Sequence, residues 1–150
     1  MTAEELARYH KMAEHPENGM FIEKHYEHTS TVRAASGSIY YYVGAKELTE
    51  FHVIDCDEYW CYTAGSPLEV WIVEPSDGSA EIKMLGTEKD CEPLIYVPKG
   101  KVFASRHPEG VDGGTFLTCI TVPRFSPEGF TMLTREEMLA RFPGAKDFYR

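Results

Sequence analysis

Residues 19–122 constrain the fold more than any other part of this chain. They consist of short runs rich in Ile, Val, Tyr, Phe and Thr, broken by the turn chemistries EPSDG, PKG, HPEG and VDGG. β-Branched and aromatic side chains suit a pleated, half-buried surface, while Gly, Pro, Asp and Ser turn the chain between such segments. The pattern predicts short antiparallel strands over 20–26, 38–43, 50–54, 58–63, 68–73, 81–85, 94–97, 102–105 and 115–121. Their number and spacing fit an all-β sandwich or barrel.

Helical signals flank this region. Thr2 stands three residues before Glu5 and Thr134 three before Glu137, the spacing of a capping box. A helix is expected over 1–14, with Leu6, Tyr9, Met12 and Ala13 as its apolar stripe, and another over 133–142, stopped by Pro143 and Gly144. No repeat, low-complexity tract or linker interrupts the chain, so one domain over 1–150 is expected.

Composition narrows the function classes. A hydrophobic content of 43% is enough to close a core in 150 residues. With 24 acidic residues against 15 Lys and Arg, the net charge of -9 disfavours nucleic acid and anionic membrane surfaces as partners. No run approaches the roughly 20 apolar residues that span a bilayer, and MTAEELARYH reads as an acidic helix start rather than a signal. A cytoplasmic protein with a small-molecule ligand is expected. Cys56, Cys61, Cys91 and Cys119 form no C-x-x-C pair and read as free thiols.

The stretch FHVIDCDEYWCYTAG, residues 51–65, concentrates the chemistry. Side chains two apart on a strand share a face. Glu50, His52 and Ile54 therefore fall together, as do Glu58, Trp60 and Tyr62, whereas Cys61 points the other way. Asp55, Cys56 and Asp57 are left to make the turn, and the two strands can bring His52 and Glu58 onto one inner face. Histidine, with an unperturbed pKa of about 6.5, is a natural proton carrier at neutral pH, and Glu58 can fix its tautomer or titrate with it. Tyr40 and Tyr42 share a face and supply stacked rings with polar tips, while Tyr41, Tyr59 and Trp71 read as packing or dimer-interface residues. His10, His15, His25 and His28 lack a paired motif, and His107 with Pro108 reads as a surface turn.

Glu58 followed by six residues and Gly65, and later Pro98-Lys99-Gly100, resembles the two signature motifs of the cupin superfamily. HPENGMFIE, SIYYYVG, AGSPLEV, IYVPKGKVFAS and LTCITVPRF extend the likeness to its small single-domain branch, classed as a domain of unknown function of the 985 type. The resemblance implies an all-β, double-stranded β-helix (a jelly-roll cupin barrel) with short terminal helices, a homodimer, and a pocket at one mouth akin to that of sugar-nucleotide epimerases. It also places Glu23 and Arg33 beside that pocket, where Arg33 is suited to hold a carboxylate or phosphate. Metal-binding cupins offer two His and a Glu from the first motif and a His three residues after the Gly of the second. The matching positions here are His52, Glu58 and Phe103, and a phenyl ring cannot ligate. Glu50 completes the one alternative metal set, His52, Glu50 and Glu58.

The favoured expectation is a metal-independent isomerase, epimerase or lyase without cofactor, moving protons on a sugar derivative or small carbonyl compound. His52 as base, with Tyr42 or Glu58 as acid, would be catalytic, and Glu23, Arg33, Tyr40, Trp60, Tyr62 and Phe103 would bind substrate. The alternatives are a non-catalytic metabolite-binding protein and a lyase or dioxygenase dependent on a divalent metal.

Overall fold

The computed structural model describes residues 1–26 and 33–150. In chain order the elements are α1 (Ala3–Tyr9), β1 (Ala13–Glu14), β2 (Met20–Tyr26), β3 (Gly37–Val43), β4 (His52–Ile54), β5 (Asp57–Gly65), β6 (Leu68–Val73), β7 (Ala80–Leu85), β8 (Leu94–Val97), β9 (Val102–Arg106), β10 (Thr115–Val122), β11 (Phe130–Met132) and α2 (Arg135–Arg141). A 3-10 segment, Pro143–Tyr149, ends the chain. All nine expected strands are present, joined by the shorter β1 and β11.

The strands form two antiparallel sheets, ordered β1-β2-β3-β10-β5-β8 and β11-β4-β9-β6-β7. Between them lies the main core, with Tyr41, Trp60, Leu68, Ile95, Phe103 and Leu117 fully buried. The jelly-roll expectation holds. One detail of the reading changes: β4 and β5 are not a hairpin, because they belong to opposite sheets, and Asp55 and Cys56 carry the chain across. His52 and Glu58 therefore face one another from two walls rather than sitting side by side on one.

Both outer faces carry a cover. Leu133, Met138, Phe142 and Phe148 from the C-terminal segment pack on Phe51, Trp71, Val102 and Ala104, which explains why β9 is buried on both faces. α1 lies over the outer face of β3 and β10, where Ala3 and Ala7 meet Phe116, Tyr40 and Tyr42. Its capping box forms, with Glu5 N–H donating to Thr2 Oγ1 and Thr2 N–H to Glu5 Oε2.

α1 is shorter than the expected 1–14, because Lys11 adopts φ 52° and residues 13 and 14 leave to pair with β2. Its buried stripe also differs: small Ala3 and Ala7 face the sheet, and Tyr9 is 70% exposed. Close approach of a short helix to a sheet favours methyl groups over a phenol ring. His107 is not a surface residue either; it is buried, and its Nε2 bonds Thr115 Oγ1 at 2.9 Å.

Candidate functional site

At one end the two sheets diverge around a cavity of about 740 Å3. Its walls are largely apolar, with Phe21, Ile39, Ile54, Phe125 and Phe130 among them. Glu17, His52 and Glu58 line it from positions only 5%, 4% and 8% exposed. Glu23, Arg33 and Arg124 stand nearer solvent at its mouth.

Local structure explains how the buried trio is assembled. The turn after β1 folds back on itself, with His15 N–H donating to Gly19 O and Asn18 N–H to His15 O. Gly19 has φ 81°, and a Cβ there would lie 2.6 Å from Tyr42 O, so only glycine fits. Asn18 Nδ2 donates to Leu48 O and Glu50 N–H to Glu17 O, which fixes the turn against the lead into β4. The Glu17 carboxylate is thereby set beside His52. Behind the imidazole, Phe103 pairs with His52 across β4 and β9, its ring centroid 4.1 Å away.

His52 Nδ1 lies 2.9 Å from Glu50 O and 2.5 Å from Glu17 Oε2. Both neighbours are acceptors, so Nδ1 must carry a proton, and Nε2 is the nitrogen left to gain or lose one. Burial pulls the His52 pKa down, but Glu17, the Glu50 carbonyl and Glu58 together outweigh it, and the net shift is upward. Glu58 is raised to about 7, chiefly by burial; His52 opposes that rise and Glu17 adds to it. Burial also drives the Cys119 thiol far up, which keeps it protonated and unsuited to nucleophilic attack. The site thus holds a carboxyl whose pKa is near 7 beside a histidine whose pKa is raised.

At the mouth each arginine is engaged. Arg33 donates two parallel bonds to Asp55, at 2.8 and 2.9 Å, and its Nε donates to Arg124 O. Arg124 donates from Nε and Nη2 to Glu23 Oε1, at 3.0 and 2.7 Å. The Arg33 guanidinium holds Asp55 below the usual carboxylate range. Asp55 is therefore a bidentate partner rather than a merely solvated turn acid.

Of the residues expected in the site, the structure brings His52, Glu58, Glu23 and Arg33 to the cavity and places the others elsewhere. Tyr40 and Tyr42 do share a face, but it is the outer one under α1, where Tyr42 OH donates to Glu4 Oε1 at 3.2 Å. Tyr41, read as a packing or dimer-interface residue, lines the cavity, with its hydroxyl donating to Asn18 O. Trp60 points inward yet is 1% exposed and packs on Tyr41 and Phe103 in the core behind the cavity. Phe103 is fully buried and meets the site through His52. Tyr62 sits toward the far end of β5, its hydroxyl donating to Gly65 O. Glu50 offers His52 its carbonyl, while burial raises the Tyr149 phenol and the Glu50 carboxylate adds to that rise. Strand parity fails there because Glu50 precedes β4. His28 lies outside the described residues.

Sequence reasoning missed Glu17, Cys119, Thr121 and Arg124, all of which line the cavity. A Glu after Pro in a turn reads as a solvated acid, and the one hint was the HPENG segment itself. Among the described residues no three His, Cys, Asp or Glu side chains group so as to hold a metal ion. Glu50 meets His52 through its carbonyl, and His52, Glu50 and Glu58 are not grouped as a ligand set. Nor is any helix among the described residues long and apolar enough to cross a membrane.

A double-sheet jelly roll with a buried polar cluster in its mouth defines a cupin-type barrel. The chain belongs to the Cupin superfamily (DUF985), whose family profile matches residues 4–133. Among solved structures, a Shewanella oneidensis protein is 26% identical, with 98% of this chain and 94% of that one covered at a TM-score of 0.89. A hypothetical protein from Leishmania major is 24% identical, with coverages of 96% and 94% and a TM-score of 0.82. Oxalate decarboxylase from Bacillus subtilis shares the fold at 18% identity and a TM-score of 0.61, over 90% of this chain and 35% of that enzyme. None of the curated proteins matches the chain.

Proposed function

We propose that the cavity performs metal-independent proton transfer on a small carbonyl compound or sugar derivative, as an isomerase, epimerase or lyase. The observation that carries this reading is the placement of Glu58, with its pKa near 7, and of His52, with its raised pKa, on opposite walls of one cavity. A general base works best when its pKa is close to the operating pH. Glu58 as carboxylate removes the proton from the carbon next to the carbonyl. His52, charged beside Glu17, donates from Nε2 to the carbonyl oxygen, giving the enol. Return of a proton to carbon completes isomerisation or epimerisation. In elimination a hydroxyl on the next carbon leaves as water with the proton held by Glu58, while the enol O–H returns its proton to His52 and the carbonyl re-forms. Relative to the sequence expectation the base and acid exchange roles, because His52 enters the reaction already protonated.

The test is exchange of carbon-bound hydrogen in D2O, followed by NMR over a panel of hydroxy-ketones, aldoses and keto-sugars. Wild-type protein should exchange at least one of them, and Glu58→Gln and His52→Asn should each slow that exchange by about 100-fold or more. Full exchange in both variants would sink the assignment. The packing of His52 against Phe103 and Phe130, at 4.1 and 5.6 Å, favours a second reading, a pocket that holds a metabolite without changing it. Recovery of an unaltered co-purifying ligand, with no exchange anywhere in the panel, selects that one. As for assembly, Leu94 and Tyr96, 51% and 42% exposed on edge strand β8, support a homodimer through this side of the barrel.

A further inference from the structure

Glu17 touches two histidines, and it touches them differently. Its Oε2 lies 2.5 Å from His52 Nδ1, while its Oε1 lies 3.8 Å from His15 Nδ1. Its backbone N–H meanwhile donates to that same His15 Nδ1 at 3.2 Å. We propose that Glu17 is a positioning residue that sorts the two histidines, holding His52 as the imidazolium and His15 as the neutral imidazole.

The argument is one of donors and acceptors. His15 Nδ1 receives a hydrogen bond from the chain, so it must keep its lone pair, and the ring's single proton sits on Nε2. Protonating Nδ1 would break that bond and set N–H against N–H. His52 Nδ1 faces only acceptors and must carry a proton. Its N–H is aligned on Glu50 O, and the buried Oε2 of Glu17 accepts no well-aligned hydrogen bond from any described group. The charge on that oxygen is therefore balanced by the nearby ring as a cation, since a buried carboxylate without a counter-charge is strongly disfavoured. The other groups around His52 agree. Glu58 faces it from β5 and favours the cation, and Phe103 and Phe130 from β9 and β11 are uncharged. His15 packs between Phe21 and Tyr41, at 4.8 and 5.2 Å, where a charge would be poorly solvated. Burial and the neighbouring His52 both push its pKa down against the pull of Glu17. One carboxylate thus yields one charged and one neutral ring on the same cavity wall.

In the proton-transfer reading this makes His52 the donor and reserves His15 as a hydrogen-bonding wall group. The charge assignment stands apart from that reading and is tested apart from it. Long-range 1H–15N spectra of the full-length protein, from about pH 5.5 to 8, report the protonation of each ring nitrogen. His15→Asn and His52→Asn variants assign the signals. At pH 7 both nitrogens of His52 should be protonated and His15 should be neutral with a bare Nδ1. Glu17→Gln should lower the His52 midpoint by about one unit, a tenfold loss in proton affinity, and leave the His15 tautomer intact. Glu17→Asp, which keeps the charge, should restore part of the shift. A neutral His52 at pH 7, a charged His15, or a His52 midpoint unmoved in Glu17→Gln overturns the proposal. Should Glu17→Gln fail to fold, the wild-type spectra alone decide between these states. The expected spectra without any hydrogen exchange would remove the catalytic reading and leave the sorting in place.

Discussion

Glu58→Gln turns the electrostatics of the cavity into a stability measurement. The glutamate is 8% exposed, and its pKa rises from 4.5 to about 7 on folding, so the folded protein binds its proton more tightly than the unfolded chain does. For a group raised in this way, the stabilisation is complete below the unfolded value and is lost as pH climbs through the folded one. At about 1.4 kcal/mol per pKa unit, the whole effect is about 3 kcal/mol, of which roughly 2 to 3 kcal/mol disappears between pH 5 and 8. Glutamine keeps the shape and carries no charge, so its stability should lack this decline. His52 acts in the same direction, because removing Glu58 takes away one of the groups that raise it. Urea unfolding followed by tryptophan fluorescence, with Trp60 two residues from the substitution, measures both proteins at each pH. The stability gap should move by roughly 2 to 3 kcal/mol in favour of the variant between pH 5 and 8. Parallel pH profiles for the two proteins would refute the reasoning, since they would mean that Glu58 is ionised in the folded state across the whole range.

Tyr42→Phe separates the structure from the sequence expectation that made Tyr42 catalytic. It removes a half-buried hydrogen bond to Glu4 on the outer face of the barrel, so stability should fall by about 1 kcal/mol or less, with hydrogen exchange on any accepted substrate unchanged. A tenfold loss of exchange would return that tyrosine to the mechanism. Phe148→Ala empties a fully buried site beside Phe51 and Trp71, whose ring centroids lie 4.6 and 5.6 Å away. The urea midpoint should report a loss of about 3 to 5 kcal/mol. A loss under about 1 kcal/mol would show that the C-terminal segment contributes little to the packing of the second sheet.

Strand identity was legible because β-branched and aromatic runs between turn residues leave few alternatives. β1 and β11 escaped because two and three residues are too short to carry a period. Parity paired Tyr40 with Tyr42 and separated Cys61 from Trp60 correctly, yet it could not say which face of β3 turns inward. That choice belongs to α1, whose alanines cover the outer face, and an aromatic ring suits either side. His52 and Glu58 were recognisable by spacing, whereas Glu17 was not. Its position depends on a turn that meets the 48–50 segment through backbone hydrogen bonds, and contacts of that kind leave no side-chain signature. Arg33 was expected to await an anion, and Asp55 meets it first. Their pairing joins residues 22 positions apart and leaves no periodic trace.

The crossing of the chain between sheets at Asp55 and Cys56 has a mechanical meaning. His52 and Glu58 are six residues apart in sequence, but they are mounted on opposite jaws, so the gap between them is a thickness rather than a length. Packed sheets stand about 10 Å apart, and side-chain volume in the core sets that value. Residues outside the cavity lining, such as Ile72 and Leu117, thus act as shims that set the spacing between His52 and Glu58. Swapping a larger shim for a smaller one re-gauges the site without altering any residue in it.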